Sequence, residues 1–209
     1  DWSEQKQIIG ADIYPAFGLH PWRVISLNQS QIDEELKVLS SLLRDARAIG
    51  ETGIDSFRAT SEEQIRQQER VFLKHLEINK HWGKPVILHI VKSHEKAIEI
   101  LKGYSYRGLV HGYSGSWEMA KKYIDQGYMI SVGRVAYHKG YKALKETIKH
   151  IPLDSLLVES DAYFEAGAAE DPVDLFENVV RAVCQLKNIS AEKLQEAVFH
   201  NIKALFKEP

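Results

Sequence analysis

The sequence predicts an α/β fold in which a parallel sheet is covered by helices. Short apolar runs bounded by Gly, Pro or Asp alternate with longer amphipathic patterns along the chain, and this alternation is typical of parallel sheets. The composition agrees, because 44% of the 209 residues are hydrophobic and 27% are charged, as in ordinary globular domains. No internal repeat or linker interrupts the pattern, so we expect a single domain spanning residues 1–209.

Six short apolar runs are predicted as strands, since each is closed by a turn or by a polar residue. In chain order they lie at residues 13–19, 46–51, 86–91, 108–111, 128–132 and 156–159. A closed barrel of alternating strands and helices needs eight strands. An open doubly wound sheet is therefore an alternative, although the chain has neither a P-loop nor a Gly-x-Gly-x-x-Gly motif.

Seven amphipathic patterns are predicted as helices, because apolar residues recur in them at steps of three and four. They lie at residues 32–46, 60–83, 93–102, 117–125, 141–149, 173–186 and 191–199, and the second ends at Gly83-Lys84-Pro85. Ser30 with Asp33 has the spacing of an N-terminal cap, and the helix after Thr60 begins in the same way. We expect His75 and the nearby His81 to be solvated, because they belong to a polar helix.

Length, charge and cysteine content exclude several classes of protein. The longest apolar run, residues 85–91, is far shorter than the roughly 20 residues of a membrane-spanning helix. With 27 Lys and Arg against 29 Asp and Glu, the net charge of −2 provides no overall basic field, so a polyanionic substrate needs a local site. Cys184 is the single cysteine, which excludes an intrachain disulfide and fits a reducing compartment. We expect a cytoplasmic protein without a membrane partner.

Residues that can bind metal follow the predicted strands at their carboxyl ends. In a parallel α/β fold these ends meet in one crevice, where ligands bind. A single histidine in such a place is more often a hydrogen-bonded structural residue, but five residues together favour a metal site. Imidazoles with carboxylates suit Zn²⁺, Mn²⁺ or Fe²⁺, and a bridging carboxylate can hold two ions for the hydrolysis of phosphate esters. The five residues are His20, Glu51, His89, His111 and Asp161.

The motifs around these residues resemble, in order and spacing, those of the TatD family of metal-dependent hydrolases. The motifs are Gly18-Leu-His-Pro21, Gly50-Glu-Thr-Gly-Ile-Asp55, Pro85-Val-Ile-Leu-His89, His111-Gly-Tyr-Ser-Gly-Ser116 and Leu156-Leu-Val-Glu-Ser-Asp-Ala162. The resemblance covers nearly the whole chain. It implies a TIM-type (β/α)8 barrel of the amidohydrolase kind. It also implies a metal-dependent deoxyribonuclease that trims single-stranded DNA ends from the 3′ side.

The resemblance also implies which residues hold the metal ions. Glu51 resembles the carboxylate that bridges two metals, and His89 and His111 resemble the ligands of one of them. Asp161 resembles a ligand of the other metal that also orients or deprotonates the attacking water. Glu51 and Asp161 are therefore the implied catalytic residues. The implied cofactor is one or two divalent ions, Mg²⁺, Mn²⁺ or Zn²⁺.

Three further residues are predicted to contact the substrate. His20 resembles a histidine on the substrate side of the site. Lys92 stands near the place of a family arginine, but it carries a point charge without the planar fork of arginine. Arg134 follows the predicted strand at 128–132, where its charge can contact phosphate.

Two carboxylates are predicted to lie behind the metal ligands. Asp55 resembles a residue that shapes the loop after Glu51. Glu159 lies two residues before Asp161, and the two share one face of an extended strand. We interpret Glu159 as a support for the ligands or as a structural ion-pair partner.

The sequence departs from the family pattern in two further places. The family opens with a strand bearing His-x-His, which this chain lacks, and the chain begins with Asp1 rather than Met. We therefore expect strands one and two to lie in a segment upstream of this chain. The loop at 165–171 is acidic where the family often has a basic loop. Two alternatives follow: hydrolysis of a small ester, amide or phosphate, and an inactive binding protein. The oligomeric state is open, with a monomer as the default expectation.

Overall fold

The computed structural model describes Trp2, residues 13–162 and residues 171–207 of the chain. The chain divides into two compact units, Asp1–Leu109 and Val110–Pro209. The prediction of one domain over residues 1–209 stays a prediction. No helix of the described residues is both long and apolar enough to cross a membrane.

Strands and helices alternate in the described residues, as the sequence predicts. The strands are β1 (Ala16–Phe17), β2 (Ala48–Asp55), β3 (Val86–Val91), β4 (Gly108–Val110), β5 (Tyr128–Val132) and β6 (Leu156–Val158). The helices are α1 (Pro21–Val24), α2 (Gln29–Leu42), α3 (Glu62–Trp82), α4 (His94–Leu101), α5 (Trp117–Ile124), α6 (Lys142–His150), α7 (Pro172–Lys187) and α8 (Ala191–Phe206).

In the first unit, β1, β2 and β3 pair in parallel. Ala16 is opposite Ala48, and Ile49 is opposite Val86, with a register shift between Ile49 and Thr52. Strand β2 continues to Asp55 rather than ending at residue 51, because residues 52–55 also pair with β3. The predicted first strand is too long, since β1 spans only two residues.

The helix starts of the first unit differ from the predicted caps. Asn28 caps α2 and forms a reciprocal pair of hydrogen bonds with Gln31, so the predicted pair of Ser30 and Asp33 is wrong. Ser61, rather than Thr60, caps α3. In both cases a neighbouring polar residue offers the same chemistry one or two positions away.

The core of the first unit is formed where α3 covers the sheet. Phe72 and Leu76 of α3 are fully buried, together with Ile54 of β2 and Leu88 of β3. His75 lies in the same buried layer with no exposed surface, so the expectation that it is solvated is wrong. The reason is position: His75 lies three residues after Phe72, on the buried face of the helix.

In the second unit, β5 and β6 pair in parallel, with Ile130 opposite Leu156 and Val132 opposite Val158. Helix α8 runs to Phe206, beyond the predicted end at residue 199. Its buried Asn201 side chain donates hydrogen bonds to two carbonyl oxygens, that of Leu156 at 2.8 Å and that of Leu153. The carboxyl end of the chain is thereby attached to the start of β6.

Candidate metal centre

Three backbone segments approach closely at the first candidate site. Gly18 follows β1, and a Cβ atom at this position would lie 2.6 Å from the Cα of Gly50. Gly50 has a φ of +142°, and a Cβ atom there would collide with the carbonyl oxygen of Ile87 in β3. Only glycine fits both positions, because nothing larger than hydrogen can separate these backbones. The contact brings the residues after β1 and along β3 next to Glu51.

A group of three side chains at this place has the donor atoms of a metal site. One candidate ligand atom from each of His20, Glu51 and His89 lies within 4.8 Å of the others. The Oε2 atom of Glu51 is 3.3 Å from Nε2 of His20 and 3.5 Å from Nδ1 of His89. Imidazole and carboxylate groups suit first-row divalent ions, and the hydrogen bonds of each histidine indicate which of its nitrogens can serve as a ligand.

His20 is held by the helix that it caps. Its Nδ1 atom accepts a hydrogen bond from the backbone N–H of Trp22 at 3.1 Å, at the start of α1. A neutral imidazole that accepts at Nδ1 carries its proton on Nε2. The hydrogen-bond partners therefore make His20 a donor to Glu51 rather than a lone-pair ligand. The predicted role of His20 on the substrate side of the site stays a prediction.

Asp55 orients His89 from behind. Its side chain is buried and accepts four hydrogen bonds: from Trp22 Nε1 at 2.5 Å, from the backbone N–H groups of Phe57 and Arg58 at 2.9 Å, and from His89 Nε2 at 3.3 Å. Burial raises the pKa of Asp55, but the hydrogen bonds together outweigh it, so the pKa lies below its usual value.

An ionised Asp55 settles which nitrogen of His89 is available. A carboxylate only accepts hydrogen bonds, so Nε2 of His89 carries the proton, and Nδ1 directs its lone pair towards Glu51. A carboxylate that fixes the proton of a histidine ligand is a recurring feature of metal sites. Asp55 thus does more than shape the loop after Glu51.

The second unit contains a corresponding arrangement around His111. The Nδ1 atom of His111 is 2.9 Å from Oε1 of Glu159, and its Nε2 atom is 3.7 Å from Oδ1 of Asp161. Glu159 also accepts hydrogen bonds from the backbone N–H of Gly112 at 2.7 Å and from the hydroxyl of Ser131. Glu159 thereby holds the proton of His111 on Nδ1 and leaves Nε2 directed towards Asp161.

The two remaining predicted residues are exposed cations. Lys92 follows β3 with a φ of +54°, and its Nζ atom lies 4.6 Å from the centre of the Phe57 ring. Arg134 begins a 3-10 turn, Arg134–Ala136, after Gly133. A Cβ atom at Gly133 would be 3.3 Å from Cγ of Glu159, so this turn starts beside the support of His111. Residues 165–170 of the predicted acidic loop lie outside the described residues, and its last residue, Asp171, caps α7.

Sequence reasoning missed His75 as a support of the first site. Its Nε2 atom accepts a hydrogen bond from the backbone N–H of Leu19 at 2.8 Å, and its Nδ1 atom donates to the carbonyl oxygen of Val71, also at 2.8 Å. His75 therefore attaches α3 to the residue that precedes His20. The available signal was spacing, since residues 68, 72, 75 and 79 share the buried face of α3.

We expect His75 to make the stability of the protein depend on pH. Burial lowers the pKa of His75 from 6.5 to about 4. Between these values the unfolded chain binds a proton that the folded chain rejects, so the free energy of unfolding falls as the pH drops. The contribution is complete above pH 6.5 and decreases by roughly 3 kcal/mol towards pH 4.

Urea unfolding above pH 6.5 and near pH 4 measures this effect, with His75→Gln compared with the native chain. The variant should lose less stability on acidification, whereas His81→Gln, on the exposed side of the same helix, should behave as the native chain does. The burial of His94 also lowers its pKa to about 4, and the comparison subtracts its share. If acid lowered the stability of the native chain and of His75→Gln equally, His75 would not be a source of the pH dependence.

The chain is similar to known proteins in both sequence and structure. The family model for TatD related DNase matches residues 2–207. The uncharacterized metal-dependent hydrolase YjjV of Escherichia coli K12 is 28% identical over 209 aligned positions, which cover 94% of this chain and 78% of YjjV. The crystal structure of YjjV, a TatD homolog, matches with a TM-score of 0.80 and 29% identity, over 94% of this chain and 77% of YjjV.

More distant structures share the fold. A TatD family hydrolase from Entamoeba histolytica matches with a TM-score of 0.79 at 18% identity, over 97% of this chain and 77% of that protein. A mutant organophosphorus hydrolase from Deinococcus radiodurans matches with a TM-score of 0.62 at 11% identity, over 98% of this chain and 73% of that protein. These matches confirm the predicted fold class, an α/β fold of the TIM-barrel type.

Proposed function

Since the chain belongs to the family of TatD related DNases, we propose that it hydrolyses phosphodiester bonds at the ends of single-stranded DNA with the help of divalent metal ions. Family membership confirms the motif resemblance and supports metal-dependent hydrolysis, as does the similarity to YjjV, an uncharacterized metal-dependent hydrolase. The choice of DNA ends as substrate is our own step. One observation carries the proposal: Nδ1 of His89 lies 3.5 Å from Oε2 of Glu51, while Nε2 of His89 is hydrogen bonded to Asp55.

The residues present fit a divalent ion. Glu51 and His89 Nδ1 would hold an ion at the first cluster, and Nε2 of His111 and the carboxylate of Asp161 offer a second pair of donors. Nε2 of His89 is hydrogen bonded to Asp55, and Nδ1 of His111 is hydrogen bonded to Glu159. The second nitrogen of each ring can then act as the metal ligand. When bound, a divalent ion lowers the pKa of water and stabilises negative charge on phosphoryl oxygens. Mg²⁺, Mn²⁺ and Zn²⁺ are the proposed ions.

The side chains around these donors have defined tasks in the proposed reaction. Asp161, whose side chain is 41% exposed, orients the attacking water and accepts its proton. His20 donates its Nε2 proton to Glu51 and so fixes the direction of that carboxylate. Lys92 and Arg134 supply exposed positive charge for the phosphates of the substrate.

Hydrolysis of an end-labelled single-stranded oligonucleotide tests the proposal. We expect the 209-residue chain to shorten the labelled strand in Mg²⁺ or Mn²⁺, and a chelator to stop the reaction. A double-stranded, blunt-ended oligonucleotide of the same sequence is the matched control and should be cut more slowly. An intact single strand in every metal, from a chain that hydrolyses small esters, would refute the choice of substrate.

A second candidate function is the hydrolysis of a small ester, amide or phosphate. The acidic residues of the 165–171 loop and the net charge of −2 favour it, because both repel a polyanion. The discriminating measurement is competition: an oligonucleotide that binds at the same site should inhibit small-substrate hydrolysis. Hydrolysis that is unaffected by the oligonucleotide favours the small substrate, and no hydrolysis of either class supports an inactive binding protein.

A further inference from the structure

Four side chains next to the first cluster form a surface of aromatic rings and cations. The side chain of Phe57 is 66% exposed, and the ammonium group of Lys92 lies 4.6 Å from the centre of its ring. The guanidinium group of Arg58 lies 4.4 Å from the centre of the Trp22 ring. We refer to Trp22, Phe57, Arg58 and Lys92 as the cation–aromatic rim. Such pairs of ring and cation are the groups that bind unpaired nucleotides in proteins.

The rim lies directly beside the candidate metal ligands. The centre of the Trp22 ring is 5.0 Å from that of His20 and 5.7 Å from that of His89. The proton of Trp22 Nε1 is donated to Asp55, the carboxylate that also orients His89. A ligand that touches Trp22 would therefore lie next to His89, one of the residues proposed to hold the ion.

The rim is fixed by the backbone on which it stands. Asp55 accepts hydrogen bonds from the N–H groups of both Phe57 and Arg58, so the turn after β2 has a defined shape. Lys92 has a φ of +54°, a left-handed conformation that non-glycine residues adopt where the surroundings impose it. An exposed aromatic ring on a fixed backbone loses little conformational freedom when a ligand binds.

Among the described residues, the two cations of the rim have no carboxylate partner. Exposed basic side chains elsewhere in the first unit form ion pairs, as Arg66 does with Glu62 at 3.1 Å. Within the described part of the chain, neither Arg58 nor Lys92 has a carboxylate oxygen within 4.0 Å. Both side chains are exposed, and no described carboxylate neutralises their charges.

We propose that the cation–aromatic rim binds one unpaired nucleotide unit of the substrate. The base stacks on Phe57, and the phosphates on either side contact Arg58 and Lys92. A base inside a duplex cannot reach Phe57, because its neighbours cover both of its faces, so the rim selects single strands. This inference rests on the proposed function, since it places the nucleotide next to the site proposed for hydrolysis.

Binding measured without hydrolysis tests the rim. Fluorescence anisotropy, in chelator, gives the affinity of the full chain for a labelled oligothymidylate and for an abasic strand of the same length. We expect Phe57→Ala to weaken binding of the oligothymidylate by about fivefold or more and to leave the abasic strand unaffected. Phe57→Tyr, which keeps a ring, should bind both strands as the native chain does.

The cations of the rim require a different measurement. Arg58→Gln and Lys92→Gln should weaken both strands alike, because the phosphates remain in the abasic strand. Log affinity falls as log salt concentration rises, and each variant should make this slope shallower by about 0.7. Phe199→Ala is the matched control for Phe57→Ala. It removes another exposed ring, on α8, with Lys203 Nζ 5.5 Å from the ring centre, and it should leave the affinity for both strands unchanged.

The outcomes separate this inference from the proposed function. Binding by Phe57→Ala that equals native binding, or that weakens equally for both strands, overturns the stacking role of Phe57. A native chain that distinguishes the two strands through Phe57 but cuts no oligonucleotide supports the rim and refutes the nuclease activity. A chain that cuts oligonucleotides and is insensitive to Phe57→Ala supports the nuclease activity and refutes the rim.

Discussion

Replacing Glu51 by Gln should reduce the rate of metal-dependent hydrolysis by at least about a hundredfold. Losing a hydrogen-bond partner of a metal ligand already costs metal sites about 10- to 100-fold in affinity or activity, and losing a proposed ligand should cost more. The amide has the size of the carboxylate but lacks its charge, and the Glu51 side chain is 34% exposed, so we expect the fold to persist.

The measurements are kcat/KM on an end-labelled oligonucleotide, the affinity for Mn²⁺ by calorimetry, and the urea midpoint. Glu34→Gln is the matched control, because Glu34 is an exposed helical carboxylate that lies 3.8 Å from Lys37 and has no other ion-pair partner in the described part of the chain. It should match the native chain in all three measurements. Native kcat/KM in Glu51→Gln would show that Glu51 does not hold the catalytic ion.

Replacing Asp55 by Asn should lower the affinity for divalent ions by about 10- to 100-fold. Each oxygen of Asp55 accepts two hydrogen bonds: Oδ1 from the N–H groups of Phe57 and Arg58, and Oδ2 from Trp22 Nε1 and His89 Nε2. In either orientation, an asparagine would direct its NH₂ group, itself a donor, at two other donors. Either the turn after β2 opens, or His89 moves its proton to Nδ1 and loses the lone pair for the ion.

Calorimetric titration with Mn²⁺ measures the effect of Asp55→Asn, and the urea midpoint reports any loss of stability. Asp33→Asn provides the control, because Asp33 is exposed and accepts a single hydrogen bond, from Gln29 at 2.9 Å. Trp22→Phe removes one donor to Asp55 while it keeps a ring, so we expect a smaller effect. Native Mn²⁺ affinity in a folded Asp55→Asn chain would exclude the orienting role of Asp55.

The alternation of strands and helices was readable from the sequence, because buried parallel strands are short apolar runs. Strands β3 and β5 have the predicted bounds. The candidate ligands were also readable, since they follow the strands directly. The predicted assignment of Glu51, His89, His111 and Asp161 as ligands stays a prediction, and the structure supplies for each histidine a hydrogen bond consistent with it.

The supporting contacts were not readable, because they join residues that are far apart in the chain. Asp55 and His89 are 34 positions apart, and His75 lies 56 positions from its partner Leu19. A local pattern of polar and apolar residues does not indicate which distant residues are in contact. Phe57 was missed for the same reason, since nothing in the sequence indicates that Lys92, which follows β3, lies beside its ring.

The close backbone contact at Gly18 and Gly50 separates the geometry of the candidate metal site from its choice of substrate. The distance of Glu51 from its neighbours is set by main-chain atoms with no side chain between them, so it is insensitive to changes in the surrounding side chains. The rim residues stand outside this contact and are exposed. Mutation can therefore alter which substrates are accepted, through Phe57, Arg58 and Lys92, without moving the donors of the metal site. In a laboratory evolution experiment, new substrate preferences should arise from these three positions, whereas the two glycines should remain unchanged.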